Sequence, residues 1–274
     1  MAYLNYFTLN PILLLFYVLI LGISIIEVNS FIPVGRAHHS SVIVDDKIYM
    51  FGGVISNGPD DLNETIYLDV SQSFNTEYPS WALSTAMPFG TAFGTVSFVD
   101  NSNSTIYLFG GTMFDPVTYE ESYESFIYTF NLLYLEWEIP ITEGPMPTRL
   151  QQIQAVNDDF GRIYIFGGLN NAERTLSEEM IIFDTNNLTW SYGNKLTMPM
   201  ARHFYTATLL PNDIIIYIGG LYYGKKAMDI RDIVLYDTIS DTWETMVHIH
   251  NIHNEILLFI VNALNHQTKK PIIF

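Results

Sequence analysis

The sequence predicts an all-β fold made of four copies of one repeating unit, and three observations indicate it. First, an aromatic and aliphatic strand runs into a glycine doublet four times, at Gly52-Gly53, Gly110-Gly111, Gly167-Gly168 and Gly219-Gly220. Second, the first glycines of these doublets are 58, 57 and 52 residues apart. Third, all four tryptophans of the chain follow the doublets, at Trp81, Trp137, Trp190 and Trp243. A repeat of roughly 50 residues suits one blade of a β-propeller.

Each repeat has the pattern of four short strands. In the third repeat the predicted strands are 151–157, 162–166, 179–184 and 188–193, with polar, turn-forming residues between them. Apolar and polar residues alternate as they do in sheets, and no part of 31–247 has the periodicity of an amphipathic helix. We therefore expect four recognisable four-stranded blades within residues 31–247.

The repeated residues have structural explanations. Glycine lacks Cβ, so a doublet allows positive φ angles and close approach of a neighbouring blade. A Trp late in each blade can fill the space between adjacent sheets. Two further landmarks keep the same phase. An Arg or Thr opens each repeat, at Arg36, Thr91, Arg149 and Arg202, and the third strand ends in Asp69, Asn131, Asp184 or Asp237.

The glycine doublet, the spaced aromatic residue and the Trp together resemble the kelch motif. The resemblance covers about 35–247. In its details the repeat pattern is similar to that of the galactose-oxidase-like kelch proteins of fungi. It implies a propeller in which each blade is a four-stranded twisted sheet around a central channel. It also implies that the residues after the opening Arg or Thr begin the innermost strand near the channel mouth. Those residues are Ala37-His38, Ala92-Phe93, Leu150-Gln151 and His203-Phe204.

Composition excludes several classes of partner. The formal charge is −17, from 12 basic and 29 acidic residues. Binding of nucleic acid needs clustered Lys and Arg, so no nucleic-acid partner is predicted, and docking on anionic lipid is disfavoured. The chain has no Cys, so no disulfide stabilises it and a large β core must hold it together.

Residues 1–30 are predicted to be a signal peptide or, alternatively, an N-terminal anchor. Residues 12–26 are apolar and uncharged, which is short of the roughly 20 residues needed to span a bilayer. Cleavage is expected before Phe31, although residues 1–11 lack the usual basic residue. Sequons at Asn63, Asn103 and Asn187 agree with secretion. We expect a secreted or cell-surface protein.

The segment 248–274 is an atypical C-terminal tail in this interpretation, because neither a glycine doublet nor a Trp follows Trp243. Three explanations stay open: a four-bladed ring, pairing with another chain, or a sequence that ends early. The abrupt change of composition favours a truncated or alternatively terminated product, and such a product need not fold alone. Contact with a membrane is expected only through an uncleaved N-terminal segment or a missing C-terminal anchor.

Catalytic chemistry is not predicted. The enzyme after which the galactose-oxidase-like kelch proteins are named uses copper, Tyr and His ligands and a Tyr cross-linked to Cys. A chain without Cys cannot form that cofactor. The sequence contains no G-x-S-x-G, H-E-x-x-H or phosphate-binding glycine loop. His248, His250 and His253 cannot share one face of a strand or helix. We therefore expect no cofactor, no metal and no catalytic residue. A diverged oxidase or sugar-processing enzyme is the alternative.

The candidate binding residues fall in two groups. Arg36, Arg149 and Arg202 would form a basic spot suited to a carboxylate, beside His38, Gln151 and His203. Alternatively, the arginines only pair with acidic groups in neighbouring blades. Tyr222 and Tyr223 stand beside two Lys residues, in a loop suited to stacking on sugar or touching a protein. The sequence thus predicts a non-catalytic propeller that binds a protein or carbohydrate ligand, whose identity lies in variable loops.

Overall fold

The computed structural model describes residues 31–55, 61–100, 104–121, 123–170, 172–223 and 226–246. The predicted signal segment 1–30, Asn103 and the tail 248–274 lie outside these residues. The regular structure of the described part consists of β-strands. None of the described residues belongs to a helix long and apolar enough to cross a membrane.

Four antiparallel sheets of four strands form four blades, one per repeat, which confirms the predicted all-β propeller architecture. Blade 1 contains β1 (Ser40–Val44), β2 (Lys47–Phe51), β3 (Thr65–Asp69) and β4 (Trp81–Leu83). A short strand β5 (Gly90–Ala92) precedes blade 2, which contains β6 (Thr95–Phe98), β7 (Thr105–Phe109), β9 (Ile127–Asn131) and β10 (Glu136–Glu138), with β8 (Thr112–Phe114) between its second and third strands.

The third and fourth blades repeat the plan. Blade 3 contains β11 (Ala155–Asn157), β12 (Arg162–Phe166), β15 (Met180–Asp184) and β16 (Thr189–Tyr192), with a hairpin of β13 (Leu169–Asn170) and β14 (Thr175–Leu176) after β12. Blade 4 contains β17 (Thr206–Leu209), β18 (Ile214–Ile218), β21 (Ile233–Asp237) and β22 (Thr242–Met246), with β19 (Leu221–Tyr222) and β20 (Lys226–Ala227) after β18. Along each blade, strands pair in chain order from the innermost to the outermost.

The strands of blade 3 agree with their predicted positions except at the first one. That strand begins at Ala155 rather than at 151. The difference arises because Gln152 adopts a positive φ of 61°, which interrupts the extended backbone. Gln151 instead forms a bridge with Leu169, the residue that follows the glycine doublet.

Three apolar clusters fill the spaces between consecutive blades. The Trp of each later blade packs on a Phe of the blade before it, so the tryptophans bind blades to one another. The ring centroids are 5.7 Å apart for Trp137 and Phe51, 6.1 Å for Trp190 and Phe109, and 4.6 Å for Trp243 and Phe166. Trp81 belongs to blade 1 and has no preceding blade within the described ranges.

The first glycines of the first three doublets are points of close approach between blades. Both glycines of every doublet have positive φ. A Cβ on Gly52 would lie 2.1 Å from the carbonyl oxygen of Thr91 in the next blade, and Gly53 donates its N–H to that same oxygen at 2.8 Å. Gly110 and Gly167 have the same arrangement, with Cβ distances of 2.2 and 2.4 Å. Any side chain at these positions would therefore push two blades apart.

The repeated Asp or Asn at the end of each third strand forms the turn that follows that strand. Its side-chain oxygen accepts the N–H of the residue two positions later, at 2.9, 2.9, 2.8 and 2.8 Å for Asp69, Asn131, Asp184 and Asp237. This is the Asx turn, which both residue types form. Their recurrence therefore reflects turn geometry.

Candidate functional site

Four residues, one before the innermost strand of each blade, lie around one cavity. His38, Phe93, Gln152 and Phe204 have φ angles of 58°, 60°, 61° and 55°. Positive φ is uncommon for residues other than glycine, and such strained residues concentrate at ligand-binding and active sites. We call these four residues the mouth cluster.

Main-chain hydrogen bonds join the mouth cluster from blade to blade. The Phe93 N–H donates to the His38 carbonyl at 2.9 Å, and the Gln152 N–H donates to the Phe93 carbonyl at 2.7 Å. The Phe204 N–H then donates to the Gln152 carbonyl at 3.0 Å. The backbone at the mouth is therefore fixed across all four described blades.

The residue before each member of the mouth cluster anchors it to the blade. Ala37 bridges to Val54, Gln151 to Leu169 and His203 to Leu221, each partner being the residue after a glycine doublet. In blade 2 the same pairing joins Ala92 to Thr112 within the β5–β8 ribbon. The doublets thus position the mouth as well as the contact between blades.

The side chains of the mouth cluster form an aromatic surface. The His38 ring stacks on the Phe93 ring with centroids 4.1 Å apart, and Phe204 lies 6.0 Å from Phe93 and 6.1 Å from His38. Phe204 is 45% exposed, and His38 is also exposed. Gln152 is held differently, because its side-chain oxygen forms a short hydrogen bond with Nδ1 of the buried His203.

The mouth cluster lines a cavity of about 440 Å³, together with residues at the start of the innermost strands of blades 1 to 3 and Tyr205 of blade 4. Several polar groups in its wall are used to join blades. Gln154 exchanges two hydrogen bonds with the backbone of Ala207, at 3.0 and 2.9 Å. Thr95 accepts the N–H of Ala155 at 2.9 Å. His39 also lines the cavity, and its buried Nδ1 has no hydrogen-bond partner.

The predicted basic spot is not formed at Arg36 and Arg202, because both guanidinium groups are buried. The Arg36 side chain is 5% exposed and donates to Glu64 at 2.6 Å and to the Gly52 carbonyl at 3.2 Å. Arg202 is 1% exposed and donates to the Gly219 carbonyl at 3.3 Å, and burial lowers its pKa. These arginines hold the glycine doublet of their own blade, so their role is structural.

Arg149 also differs from its predicted position. It pairs with Glu121 and lies over the ring of Tyr123 at 4.6 Å. Leu150, one residue later, is the equivalent of Arg202. Its carbonyl accepts the N–H of Gly111, the second glycine of the doublet in blade 2, just as the Arg202 carbonyl accepts the N–H of Gly168 in blade 3. The sequence analysis matched Arg149 to Arg202 as the opening residue of the repeat, and this match was wrong by one residue.

Because Leu150 is the equivalent of Arg202, the candidate binding residue of blade 3 is Gln152 and not Gln151. Gln151 and His203 are each 6% exposed, so neither presents a side chain to a ligand at the surface. Phe93 and Phe204 stand where the alignment placed them. Gln152 was missed, although it lies three residues before the innermost strand of blade 3 begins at Ala155, and Phe204 similarly lies two residues before Thr206 in blade 4.

The Tyr222-Tyr223 loop lies next to the mouth cluster. Leu221 pairs with His203, so the β19–β20 hairpin begins beside Phe204. Tyr223 is 82% exposed, whereas Tyr222 is half-buried. Over the part of the chain that the structure describes, no group of three His, Asp or Glu residues is placed to hold a metal ion.

His39 should make the fold sensitive to mild acid. Burial, followed by the charges of Arg36 and His38, lowers the pKa of His39 from its ordinary 6.5. A lowered pKa means that His39 binds a proton more tightly in the unfolded chain than in the folded one. The contribution of neutral His39 to stability is therefore fully present above pH 6.5 and is lost as the pH falls below that value. We expect the melting temperature to fall less between pH 7.5 and about 5.5 in His39→Gln than in the native chain. Equal falls in both proteins would contradict this role for His39.

Comparison with known proteins agrees with the architecture. Residues 22–273 match the family model described as Attractin/LZTR1 beta-propeller. The solved structure of YjhT superposes with a TM-score of 0.59 at 16% identity, covering 80% of this chain and 67% of that one. At this identity the likeness concerns the fold.

Curated relatives include kelch proteins. The chain is 24% identical over 231 residues to Kelch domain-containing protein 3 of Rattus norvegicus, covering 78% of this chain and 57% of that protein. It is 26% identical over 205 residues to Host cell factor 2 of Homo sapiens, with coverage of 69% and 25%. Kelch-like protein terF of Aspergillus terreus is 24% identical, with coverage of 77% and 44%. The chain thus spans about half the length, or less, of these relatives. It is a kelch-repeat β-propeller and belongs to the Attractin/LZTR1 β-propeller family.

Proposed function

We propose that this propeller is a non-catalytic binding protein that holds a protein partner at the mouth cluster. The observation that carries the proposal is the set of three rings, His38, Phe93 and Phe204, supplied by three blades around one cavity. Exposed aromatic side chains on a rigid backbone are the usual anchors of protein interfaces. Kinship with kelch proteins supports the same function.

The chemistry of the mouth favours an apolar or aromatic anchor on the partner. Arg36 and Arg202 are buried against backbone carbonyls, so they do not attract an acidic group at the surface. The cavity of about 440 Å³ falls in the range of ordinary ligand pockets. A large apolar side chain of the partner therefore enters between the rings, while Gln152 and the exposed Tyr223 contact its polar flanks.

A secreted or cell-surface location is part of the proposal. The apolar segment 12–26 and the sequons support it. Asn187 lies exposed in the turn before β16, where a glycan has room. Asn63 is half-buried and donates to the Met87 carbonyl at 3.3 Å, whereas the exposed Asn187 donates to Asp184 of its own turn at 3.3 Å. Asn187 is therefore the better acceptor among the described sequons.

The second candidate function is an enzyme, and the sequence argues against one class of enzyme, the copper radical oxidases. A chain without Cys cannot build a Tyr–Cys cofactor, so copper radical chemistry is not proposed. Carbohydrate binding without catalysis uses the same rings and is distinguished by the experiment below.

The test is selection of binders from a displayed library of random peptides, in parallel with a glycan array. We expect selected peptides to share an aromatic or large aliphatic residue. Phe204→Ala should weaken their binding about tenfold or more, because truncating an interface anchor removes more than about 1.4 kcal/mol. Phe204 is half exposed, so the fold should survive, and an unchanged melting temperature would verify this.

Phe160→Ala is the matched control. Phe160 is an exposed Phe in the turn between β11 and β12, at the other end of the innermost strand from the mouth. We expect its replacement to leave peptide binding unchanged. Equal losses in Phe160→Ala and Phe204→Ala, or binding of glycans with no peptide selected, would overturn the proposal.

A further inference from the structure

The outermost strand of blade 2 is an open sheet edge. β10 is the last strand of its sheet, and within the described ranges no bridge joins it to a further segment. The same edge of blade 3 is covered, because Glu143 runs parallel to β16 there. Glu143 donates its N–H to the Leu188 carbonyl at 3.0 Å, and its carbonyl accepts the Trp190 N–H at 2.8 Å. The equivalent groups of β10, the N–H of Trp137 among them, therefore face outward.

Exposed apolar residues flank this open strand. The turn that leads into β10 carries Leu133, Tyr134 and Leu135 in succession, and they are 70%, 74% and 45% exposed. The segment that leaves β10 carries Ile139 and Ile141, which are 46% and 92% exposed. An exposed run of consecutive apolar residues is unfavourable unless it has a function. We call β10 and these five residues the blade 2 edge.

The turn itself does not require apolar side chains. Asn186-Asn187 of blade 3 and Ile239-Ser240 of blade 4 occupy the positions of Leu133-Tyr134. All three turns follow the same Asx geometry. The backbone therefore accepts polar residues at these positions, and the apolar pair of blade 2 needs another explanation.

The charge around the blade 2 edge indicates the chemistry of its partner. The stretch 48–148 contains all of blade 2 and has 13 Asp and Glu residues but no Lys, Arg or His, a formal charge of −13. Glu136 and Glu138 lie on β10 itself and are exposed. Opposite charges on facing strands attract, so a partner strand that carries Lys or Arg is favoured.

A second copy of this chain fits the edge poorly. Antiparallel pairing of two β10 strands about a two-fold axis would set Glu136 and Glu138 of one copy against those of the other. Like charges on facing strands are destabilising. Because side chains alternate between the two faces of a sheet, the favoured strand carries basic residues beside the two Glu residues. It carries apolar residues beside Leu135 and Ile139, which share the other face.

We propose that the blade 2 edge binds an extended segment of a basic protein partner, in which Lys or Arg alternates with apolar residues. The segment adds to blade 2 as a further outer strand. Its main-chain hydrogen bonds supply affinity, and the side chains of the edge select the alternating sequence. This site uses no residue of the mouth cluster, so it stands or falls independently of the function proposed there.

Fluorescence anisotropy with a labelled peptide in which Lys and Val alternate tests the proposal on the full 274-residue protein. We expect saturable binding of this peptide and none of a peptide in which Glu replaces Lys. Glu136→Lys combined with Glu138→Lys should weaken binding about tenfold or more, because attractive cross-strand pairs become repulsive.

Glu173→Lys combined with Glu178→Lys is the matched control. Both residues are exposed beside the β13–β14 hairpin of blade 3, and the pair makes the same change of net charge. At physiological ionic strength, charges farther apart than about 8 Å are largely screened. We therefore expect the control to weaken binding by no more than about twofold.

A backbone variant tests the addition of a strand. N–H groups two residues apart on a strand point the same way, so Ile139 presents its N–H outward like Trp137. Ile139→Pro removes this N–H without removing a bond between β9 and β10, and it should also weaken binding about tenfold or more. An unchanged melting temperature verifies the fold of the variant. Hydrogen exchange of the native chain gives the same information, since the amides of Trp137 and Ile139 should exchange more slowly once the peptide is bound.

Four results would overturn the proposal. The first is no binding of the Lys-Val peptide to the native protein. The second is an equal loss in the two charge-reversed proteins, which would indicate diffuse attraction. The third is no slowing of exchange at Trp137 and Ile139 on binding. The fourth is protection of these amides without peptide, which would assign the edge to a second copy if the protein is a dimer in ultracentrifugation, or to another segment of this chain if it is a monomer.

Discussion

Trp190→Ala is expected to lower the free energy of unfolding by about 3–5 kcal/mol, the range for truncating a large buried aromatic residue. The Trp190 ring lies 4.5 Å from Phe183 of its own blade and 5.9 Å from Phe126 of the preceding one. Its indole N–H donates to Thr142 at 3.0 Å. The substitution therefore opens a cavity between two sheets and leaves a hydroxyl without its donor. Chemical denaturation followed by circular dichroism measures the loss.

Trp81→Ala is the matched control, because Trp81 has the same place in its repeat. Trp81 is half-buried, and in the described part of the chain no blade precedes it. The expected loss is about 1 kcal/mol, in line with the smaller apolar area that the substitution exposes. If both substitutions destabilised the protein equally, the tryptophans would act within their own blades rather than between blades.

Gly110→Ala is expected to destabilise the protein by about 3 kcal/mol or more. A Cβ at this position would lie 2.2 Å from the Leu150 carbonyl oxygen, and φ is +59°. The positive φ accounts for roughly 1–2 kcal/mol of the loss, and the forced separation of two packed blades accounts for the rest. The same denaturation experiment gives the value.

Two further variants separate the two causes. Gly110→Asn tolerates a positive φ better than Ala but carries the same Cβ, so we expect it to be nearly as destabilising. Gly35→Ala should have little effect, since a Cβ there meets nothing within 4 Å. A nearly native Gly110→Asn would show that backbone conformation alone, and not contact between blades, requires the glycine.

The blades could be predicted from sequence because their signals are local and repeat. The run Arg162–Phe166 was predicted as a strand and is one, since its apolar residues and the following glycines fix both ends. The Asp or Asn that ends each third strand was also in phase, because an Asx turn needs only the residues beside it.

The mouth could be predicted only in part. Arg36 was expected at the surface, but its partner Glu64 lies 28 residues away in a loop, and no local pattern joins the two. Arg149 was aligned with Arg202 by residue type, whereas backbone hydrogen bonds show that Leu150 is the equivalent residue. Burial of a charged group depends on such distant partners, so residue type alone misplaced both the charge and Gln152.

In the mouth cluster the backbone conformation is constant, whereas the residue type varies from blade to blade. Its four positions share one backbone conformation although they carry His, Phe, Gln and Phe. The bonds that impose this conformation join main-chain atoms and use no side-chain atom. Single amino-acid substitutions at these positions can therefore change ligand selectivity without changing the backbone. Antibody binding loops vary in the same way on a constant β-sandwich. Randomising positions 38, 93, 152 and 204 would yield a library of binders with different specificities on one disulfide-free scaffold.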